Sequence, residues 1–575
     1  MTSATEGPSD EGLSPSAQAW MRALGGIVQR PLRLAIALPL LSGVLLLVQV
    51  WALARALHLV IIEDNSLAAI LPLLGLAATM IALRAGLTWG AEIAGQRAAE
   101  GIKQWLRSAL FKRLLDAGVL WSRGRSSGEL ADAIGAQVEV LDGYFAHYIP
   151  AMASAAVLPL VFCIVLLGFD WIAALALILT VPLIPLFMAL VGWGAEAAGR
   201  RHALSLSRLS GMFADRVRGL TTLKLFGRAE SEAARVAQAS EEVRDRTLSV
   251  LRIAFLSSAV LEFFAALGVA MLAVYFGLTF LGMLSLRGSP LTLEAALLCL
   301  IMAPEVYLPM RQLAAHYHDR ANARAAIAQV QTVFDELPPL QDTTSPETVP
   351  AQPRILVTPS LTAVDLQVPV PGRTPVSLPA QTALEPGAQV ALLGPSGSGK
   401  TTLLETLAGL RPHTGKVLLG GRPLADWPEA QLRRTLLLIP QRPWLMPGSL
   451  ADNLRLAQPG ADETALLRAL AATGLDELVA ELPDGLDTQI GARGHGLSGG
   501  QAQRLVLARM FLSDPAILLL DEPTAYLDAQ TRDQVVAHIA EFARGRTLLV
   551  ATHDPAVAAI ADIHWRLNAA GTVQT

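Results

Sequence analysis

The stretch QVALLGPSGSGKTTLLETLAGL, Gln389 to Leu410, decides the fold of the C-terminal part of the chain. QVALL is an apolar run of strand length. TTLLETLAGL carries apolar residues at helical spacing. Between them GPSGSGKT, Gly394 to Thr401, fits the pattern G-x-x-x-x-G-K-[ST], and a strand before it with a helix after it is the context that makes such a match a P-loop. Its glycines let the backbone wrap closely around phosphate oxygens, and the N–H groups together with the helix N-terminus form an anion site. The expected phosphate cradle is Gly394, Pro395, Ser396, Gly397, Ser398, Gly399, Lys400, Thr401 and Thr402. Lys400 should reach the β- and γ-phosphates, and Thr401 should ligate Mg²⁺.

Working outward, VALLG, TLLLIP, AILLLD and TLLVATH are short apolar runs bounded by turns or polar residues, as buried strands of a parallel sheet are. ILLLDEPT, Ile517 to Thr524, ends its run in two carboxylates. Asp521 at the strand end is placed to hold Mg²⁺ through water, and Glu522 to polarise an attacking water. LSGGQ, Leu497 to Gln501, precedes the helical pattern AQRLVLARMFL. Ser498, Gly499, Gly500 and Gln501 therefore open a helix, where a serine, backbone N–H groups and the dipole can bind a γ-phosphate. These features predict an α/β P-loop nucleotide-binding domain over residues 355–575.

In their order, the P-loop, Gln441, LSGGQ, LLLDEPT, Leu527–Asp528 and His553 resemble the ATP-binding cassette (ABC) family. That resemblance implies that two cassettes pair head to tail, each LSGGQ facing the other's P-loop with Mg-ATP between them. It also implies that Gln441 contacts Mg²⁺ and the attacking water, that Asp528 crosses the interface, and that His553 contacts the γ-phosphate. The catalytic set is then Glu522, His553 and Gln441, and the metal set Thr401, Gln441 and Asp521. One departure stands out. ABC exporters usually place an adenine-stacking aromatic upstream of the P-loop, and residues 354–393 contain none; LQVPVPGRTPV leaves Val368 or Val370 to make an apolar contact.

The N-terminal part is different. Hydrophobic residues make up 52% of the chain and charged residues 16%, well below the ~25% usual in soluble chains. Six apolar runs lie near Leu34–Ala54, Leu67–Trp89, Ile149–Phe169, Trp171–Trp193, Ile253–Met283 and Leu291–Met310. Most approach the ~20 residues a helix needs to cross a bilayer, and backbone in lipid must bond to itself, so they read as helices. HLVIIEDNS and the turn at Gly168–Asp170 carry no Lys or Arg, and LSLRGSP only Arg287. The segments Arg97–Tyr144 and Arg200–Arg252 are rich in both. The positive-inside rule places these two segments and both termini in the cytoplasm. They read as helical extensions, each with a short transverse helix, near Ser126–Asp132 and Gly219–Glu230. The expected layout is a tail and interfacial helix (1–32), a six-helix membrane α-helical domain (33–334), a proline-rich linker (335–354) and the nucleotide-binding domain. The polar N-terminus lacks the pattern of a cleaved signal peptide. Cys163 and Cys299 lie in apolar runs and read as small core hydrophobes. The net charge of −4 argues against a nucleic-acid coat.

A membrane domain followed by a cassette on one chain resembles ABC exporters. LSGGQAQR at Leu497–Arg504, SGELADAIGAQVEVLDGYFAHYIPAM at Ser127–Met152, TTLKLFGRAE at Thr221–Glu230 and APEVYLPMRQLAAHYH at Ala303–His318 are similar to the half-transporters of the CydDC type. The resemblance implies export of a small thiol, glutathione or cysteine, across a bacterial inner membrane in support of cytochrome bd assembly. It implies a heterodimer with a CydC-like partner, and haem by family resemblance only. A homodimeric lipid or multidrug exporter is the alternative, and a membrane-anchored signalling ATPase a more remote one. Charges inside membrane runs are costly and usually face a cavity or a partner. Arg84, Glu262, Glu305 and Arg311 are therefore the candidate substrate residues, with inter-helix polar contact as the plainer role.

Overall fold

The computed structural model describes residues 15–184, 186–187, 195–284, 290–340, 359–370, 374–491, 496–568 and 570–574. Two compact units emerge. One comprises Met1–Leu114 and Arg125–Thr343, the other Leu115–Gly124 and Thr344–Thr575. The segment Leu115–Gly124, expected within the membrane domain, thus packs with the cassette. Most of the proline-rich linker lies outside the described residues.

The first unit is helical. Five of its helical stretches, among the described residues, are long and apolar enough to cross a membrane. The sixth run starts with the apolar helix Trp171–Thr180, whose N-terminus is capped by Asp170 Oδ1 accepting from the N–H groups of Ile172 and Ala173 at 3.0 and 2.9 Å. Residues 185 and 188–194 of that run, and Arg287 in the third loop, lie outside the described residues. The helix Leu67–Asp116 has 50 residues and Ala229–Phe280 has 52. At ~1.5 Å per residue each exceeds about 70 Å, more than twice a ~30 Å hydrocarbon layer, so a large part of each must emerge. On the emergent part of the first, Lys103 is only 7% exposed. Its ammonium meets carboxylate oxygens of Glu100, Glu139 and Asp142 at 3.1, 3.0 and 3.0 Å, which compensates a charge that would otherwise be expensive to bury.

The short helices fall partly as expected. Leu220–Leu225 lies within the second expected break. In the first extension the short helix Ser127–Ile134 lies at the expected break, opened by Ser126 with a capping box in which its Oγ accepts from Glu129 N at 3.1 Å. A further short helix, Gly118–Arg123, precedes it. The helix Pro15–Leu24 precedes the first span and stops short of Leu32 because residues Gly25 and Gly26 break it. Trp20 pins it by donating its indole N–H to Pro338 O at 2.8 Å.

The core of the first unit joins the spans around Phe162, Leu166, Leu177, Met302 and Tyr307. Cys163 and Cys299 are buried in this core. Tyr307 is fully buried, and its hydroxyl lies 2.6 Å from Thr180 Oγ1. Gly268 makes room for it, since a Cβ there would fall 1.9 Å from Tyr307 Oη.

The cassette unit holds a six-stranded sheet in the order Val573–Gln574, Ile563–Leu567, Gln389–Leu393, Thr547–Ala551, Ile517–Asp521, Leu436–Ile439. All neighbours are parallel except the Val573–Gln574 pair. Leu518, Leu519, Leu520, Leu548, Leu549 and Val550 are fully buried, because helices cover both faces. An antiparallel sheet built on Leu361–Val368 and Thr414–Leu419 packs beside it. The register sets Asp521 against Ala551 and Ala551 against Leu392, which brings three strand ends to one edge.

Candidate functional site

At that edge the loop Gly394–Gly399 turns into the helix Lys400–Leu407. Gly399 has φ +108° and a Cβ there would meet Val376 Cγ2 at 2.5 Å, so both conformation and space require glycine. A cavity of about 640 Å³ opens over this loop. The P-loop residues Gly394–Thr402, Gln441, Asp521, Glu522 and His553 all line it. Lys400, 8% exposed, donates to Gly394 O at 2.8 Å and Pro395 O at 3.3 Å, and its Nζ lies 3.9 Å from Glu522 Oε1. Thr401 Oγ1 donates to Asp521 Oδ2 at 2.6 Å. His553 Nδ1 lies 2.8 Å from Glu522 Oε2.

Asp521 is 2% exposed. Burial pushes its carboxyl above the ordinary range, and the neighbouring Glu522 adds to this against the Thr401 hydrogen bond. Glu522 sits at φ +47°, a strained setting for a non-glycine residue of the kind that clusters at active sites. The arrangement gathers a phosphate-sized loop, a buried ammonium, a hydroxyl–carboxylate pair of hard oxygens, and a carboxylate held by an imidazole. Mg²⁺ fits the Thr401–Asp521 pair, since that ion takes few protein oxygens and keeps its waters and phosphates.

The signature residues lie elsewhere. Ser498 caps the helix Gly499–Ser513; its Oγ accepts from Gln501 N at 3.2 Å and Gln501 Oε1 accepts from Ser498 N at 2.8 Å. Asp528 caps Ala529–Phe542, accepting from Thr531 N at 3.0 Å, a bond that holds its carboxyl below the usual range. Ser498, Gly499, Gly500, Gln501 and Asp528 are absent from the lining of the cavity. The structure therefore brings together the P-loop, Gln441, Asp521, Glu522 and His553, and leaves the signature outside the cavity.

A further edge of the lining consists of Val370, Thr374, Val376 and Gly571, with no aromatic among the described lining residues. Val370 makes this edge; Val368 is a buried core residue instead. Reasoning from sequence missed Tyr526, which lies between Glu522 and Asp528, has φ +70° and is 64% exposed. Its carbonyl approaches Gly500 so closely that a Cβ there would sit 2.8 Å away. It also missed Asn453 and Arg509; the one signal was a basic residue inside the apolar run LVLARMFL.

Of the four membrane candidates, two meet: Arg311 Nη2 lies 3.1 Å from Glu262 Oε2. Arg84 donates to Gln49 Oε1 at 2.6 Å and keeps a buried Nε with no partner among the described residues. Glu305 is half-buried. The pair His147 and His316, where the segment Gly143–Tyr148 meets the end of the last membrane helix, does not fit two-sided ligation of a haem. His147 and His316 stack at 5.0 Å with rings 20° apart, so their nitrogens cannot address opposite faces of one macrocycle, and His316 is engaged by Asp319 at 3.0 Å.

Residues 32–301 match the family described as ABC transporter transmembrane region, and residues 379–525 the family described as ABC transporter. The chain is 38% identical, over 95% of its length and 92% of the relative's, to the glutathione/L-cysteine transport system ATP-binding/permease protein CydD of Escherichia coli. It is 36% identical, over 93% of its length and 90% of the relative's, to the transport ATP-binding protein AarD of Providencia stuartii. Among solved structures, a bacterial Atm1-family ABC exporter with ATP bound superposes with a TM-score of 0.76 at 22% identity, covering 96% of this chain and 95% of that one.

Proposed function

The chain belongs to the ABC transporter family, as an ATP-hydrolysing exporter half that resembles CydD, and from that premise we propose that it moves glutathione and cysteine from cytoplasm to periplasm in support of cytochrome bd assembly. The observation that carries the cargo reading is the likeness along 95% of the chain to a relative named for glutathione and L-cysteine transport. It works as a multi-pass protein of the bacterial inner membrane, both termini cytoplasmic, paired with a CydC-like half.

In this reading Lys400 and the P-loop N–H groups take the β- and γ-phosphates. Thr401, Asp521 and Gln441 are the residues that would hold Mg²⁺, which when bound neutralises charge on the phosphate oxygens. Glu522 orients and polarises the attacking water, and His553, already in contact with it, reaches the γ-phosphate. Ser498 to Gln501 and Asp528 face the partner's nucleotide, which suits their exclusion from this chain's own cavity. Bound γ-phosphate stabilises the closed pair, and its loss reopens it. In the membrane unit, Arg84 takes a cargo carboxylate. A buried donor without a partner is costly, and an anionic thiol would satisfy it. Glu262, Arg311 and Glu305 supply the remaining polarity of the path.

The test is ATP-dependent uptake of glutathione and cysteine into inverted vesicles, with and without a CydC-like half. Uptake needing both halves is expected, and Arg84→Ala should lower thiol-stimulated hydrolysis while sparing the basal rate. Vesicles that hydrolyse ATP yet take up neither thiol would remove the cargo assignment.

A further inference from the structure

Arg509 stands on the signature helix Gly499–Ser513, eleven residues beyond Ser498 and about 16 Å along the axis at ~1.5 Å per residue. Its guanidinium faces no carboxylate among the described residues; burial alone pushes it down to about 10, so it stays charged at neutral pH. All three of its hydrogen bonds go to one other segment. Nε donates to Asn453 O at 2.9 Å, Nη1 to Trp444 O at 3.0 Å and Nη2 to Asn453 Oδ1 at 3.0 Å.

Asn453 is fully buried and uses every polar atom of its side chain. Its Oδ1 also accepts from Met446 N at 3.0 Å, and its Nδ2 donates to Met446 O and Ser449 O, both at 3.0 Å. The chain from Gln441 through Trp444 and Met446 is thereby tied to the helix Leu450–Arg455, and both to the signature helix. Gln441 is at one end of this strap and lines the nucleotide cavity; Ser498 is at the far end of the helix that Arg509 holds. A planar charged fork bonded to two carbonyls and a buried amide, with no competing acid among the described residues, is held in one arrangement.

We propose that Arg509, through Asn453 and the Trp444 carbonyl, is a positioning residue that makes the Gln441 segment and the signature helix move as one piece. A shift of Gln441 at this chain's nucleotide then displaces Ser498 at the other edge of the cassette. The inference rests on the ATPase reading of the site and is independent of the cargo. It touches no P-loop residue, so it predicts an effect on turnover rather than on nucleotide capture.

The test uses the full-length chain in its membrane complex. Arg509→Lys keeps the charge and loses the fork. It is expected to melt close to wild type, to lower kcat by about tenfold and to change KM for Mg-ATP by less than about threefold, the pattern of a contact that matters only for turnover. Arg509→Ala, if it folds, should show the same split. An unchanged kcat in Arg509→Lys, a KM that rises in step with a falling kcat, or losses that follow the melting temperature would each reduce Arg509 to a structural residue and overturn the proposal. Absence of hydrolysis in the wild-type complex would instead remove the ATPase reading itself.

Discussion

Replacing Gly268 by alanine places a methyl carbon 1.9 Å from Tyr307 Oη, 2.7 Å from Cζ and 3.1 Å from Cε2. The tyrosine is fully buried, so its ring has nowhere to go without moving its neighbours. Overpacking of this kind costs about 1–3 kcal/mol. Displacement of the hydroxyl also breaks its 2.6 Å contact with Thr180, worth about 1 kcal/mol in a membrane core. The sum is about 2–4 kcal/mol, and at ~2 °C per kcal/mol for a unit of this size the melting point should fall by about 4–8 °C. Thermal unfolding of the purified chain in detergent measures it. Tyr307→Phe on its own should cost no more than that contact, about 1 kcal/mol, because Thr180 Oγ1 still donates to Ala176 O at 3.0 Å. Combined with Gly268→Ala it removes the closest clashing atom and should recover half the loss or more, so the two changes are non-additive. A Gly268→Ala chain that melts within about 1 °C of wild type, or a double variant no better than the single, would refute the packing argument.

Gly399→Ala meets Val376 at 2.5 Å on a backbone of φ +108°, and should lower nucleotide affinity by tenfold or more in a fluorescent-ATP titration, since strain of about 1–3 kcal/mol falls on the phosphate loop. Because Asp521 has a raised folded-state pKa, its contribution to stability is full below the ordinary carboxylate value and is lost as pH rises through the folded value. Without Mg²⁺ or nucleotide, Asp521→Asn should therefore flatten the decline in melting temperature as pH rises above the ordinary carboxylate value, and a slope equal to wild type would remove this cause. With Val370 as the apolar contact at the cavity wall, ATP and GTP should bind within a few-fold of each other; a strong preference for ATP would show that another group reads the base. Glu522→Gln should retain bound ATP with hydrolysis lowered by about 10²–10⁴-fold, measured by phosphate release.

Local chemistry was the part most legible in the sequence. The loop at Gly394–Thr401, the strand ending at Asp521 and the cap at Ser498 each depend on neighbours within a few residues, so spacing alone placed them. The membrane runs were legible because length and apolarity are sufficient for a helix in lipid. The short helix Gly118–Arg123 was missed, since six residues leave no periodicity to read and the capping box at Ser126 marks the helix after it. The antiparallel sheet on Leu361–Val368 was also missed, its longest-range partner Thr414–Leu419 lying about 50 residues away. Arg509 and Asn453 belong to the same class: 56 positions separate them, and only folding reveals that one satisfies the other.

The outward-facing cap at Ser498 has a genetic consequence. Under the proposed head-to-tail pairing with a second gene's product, a lesion at Lys400 spoils the nucleotide this polypeptide grips itself, whereas a lesion at Ser498 spoils the one its mate grips. Each lesion alone should then leave its assembly one intact site, and the two on one polypeptide should leave it none, so the double lesion should be more severe than either single one.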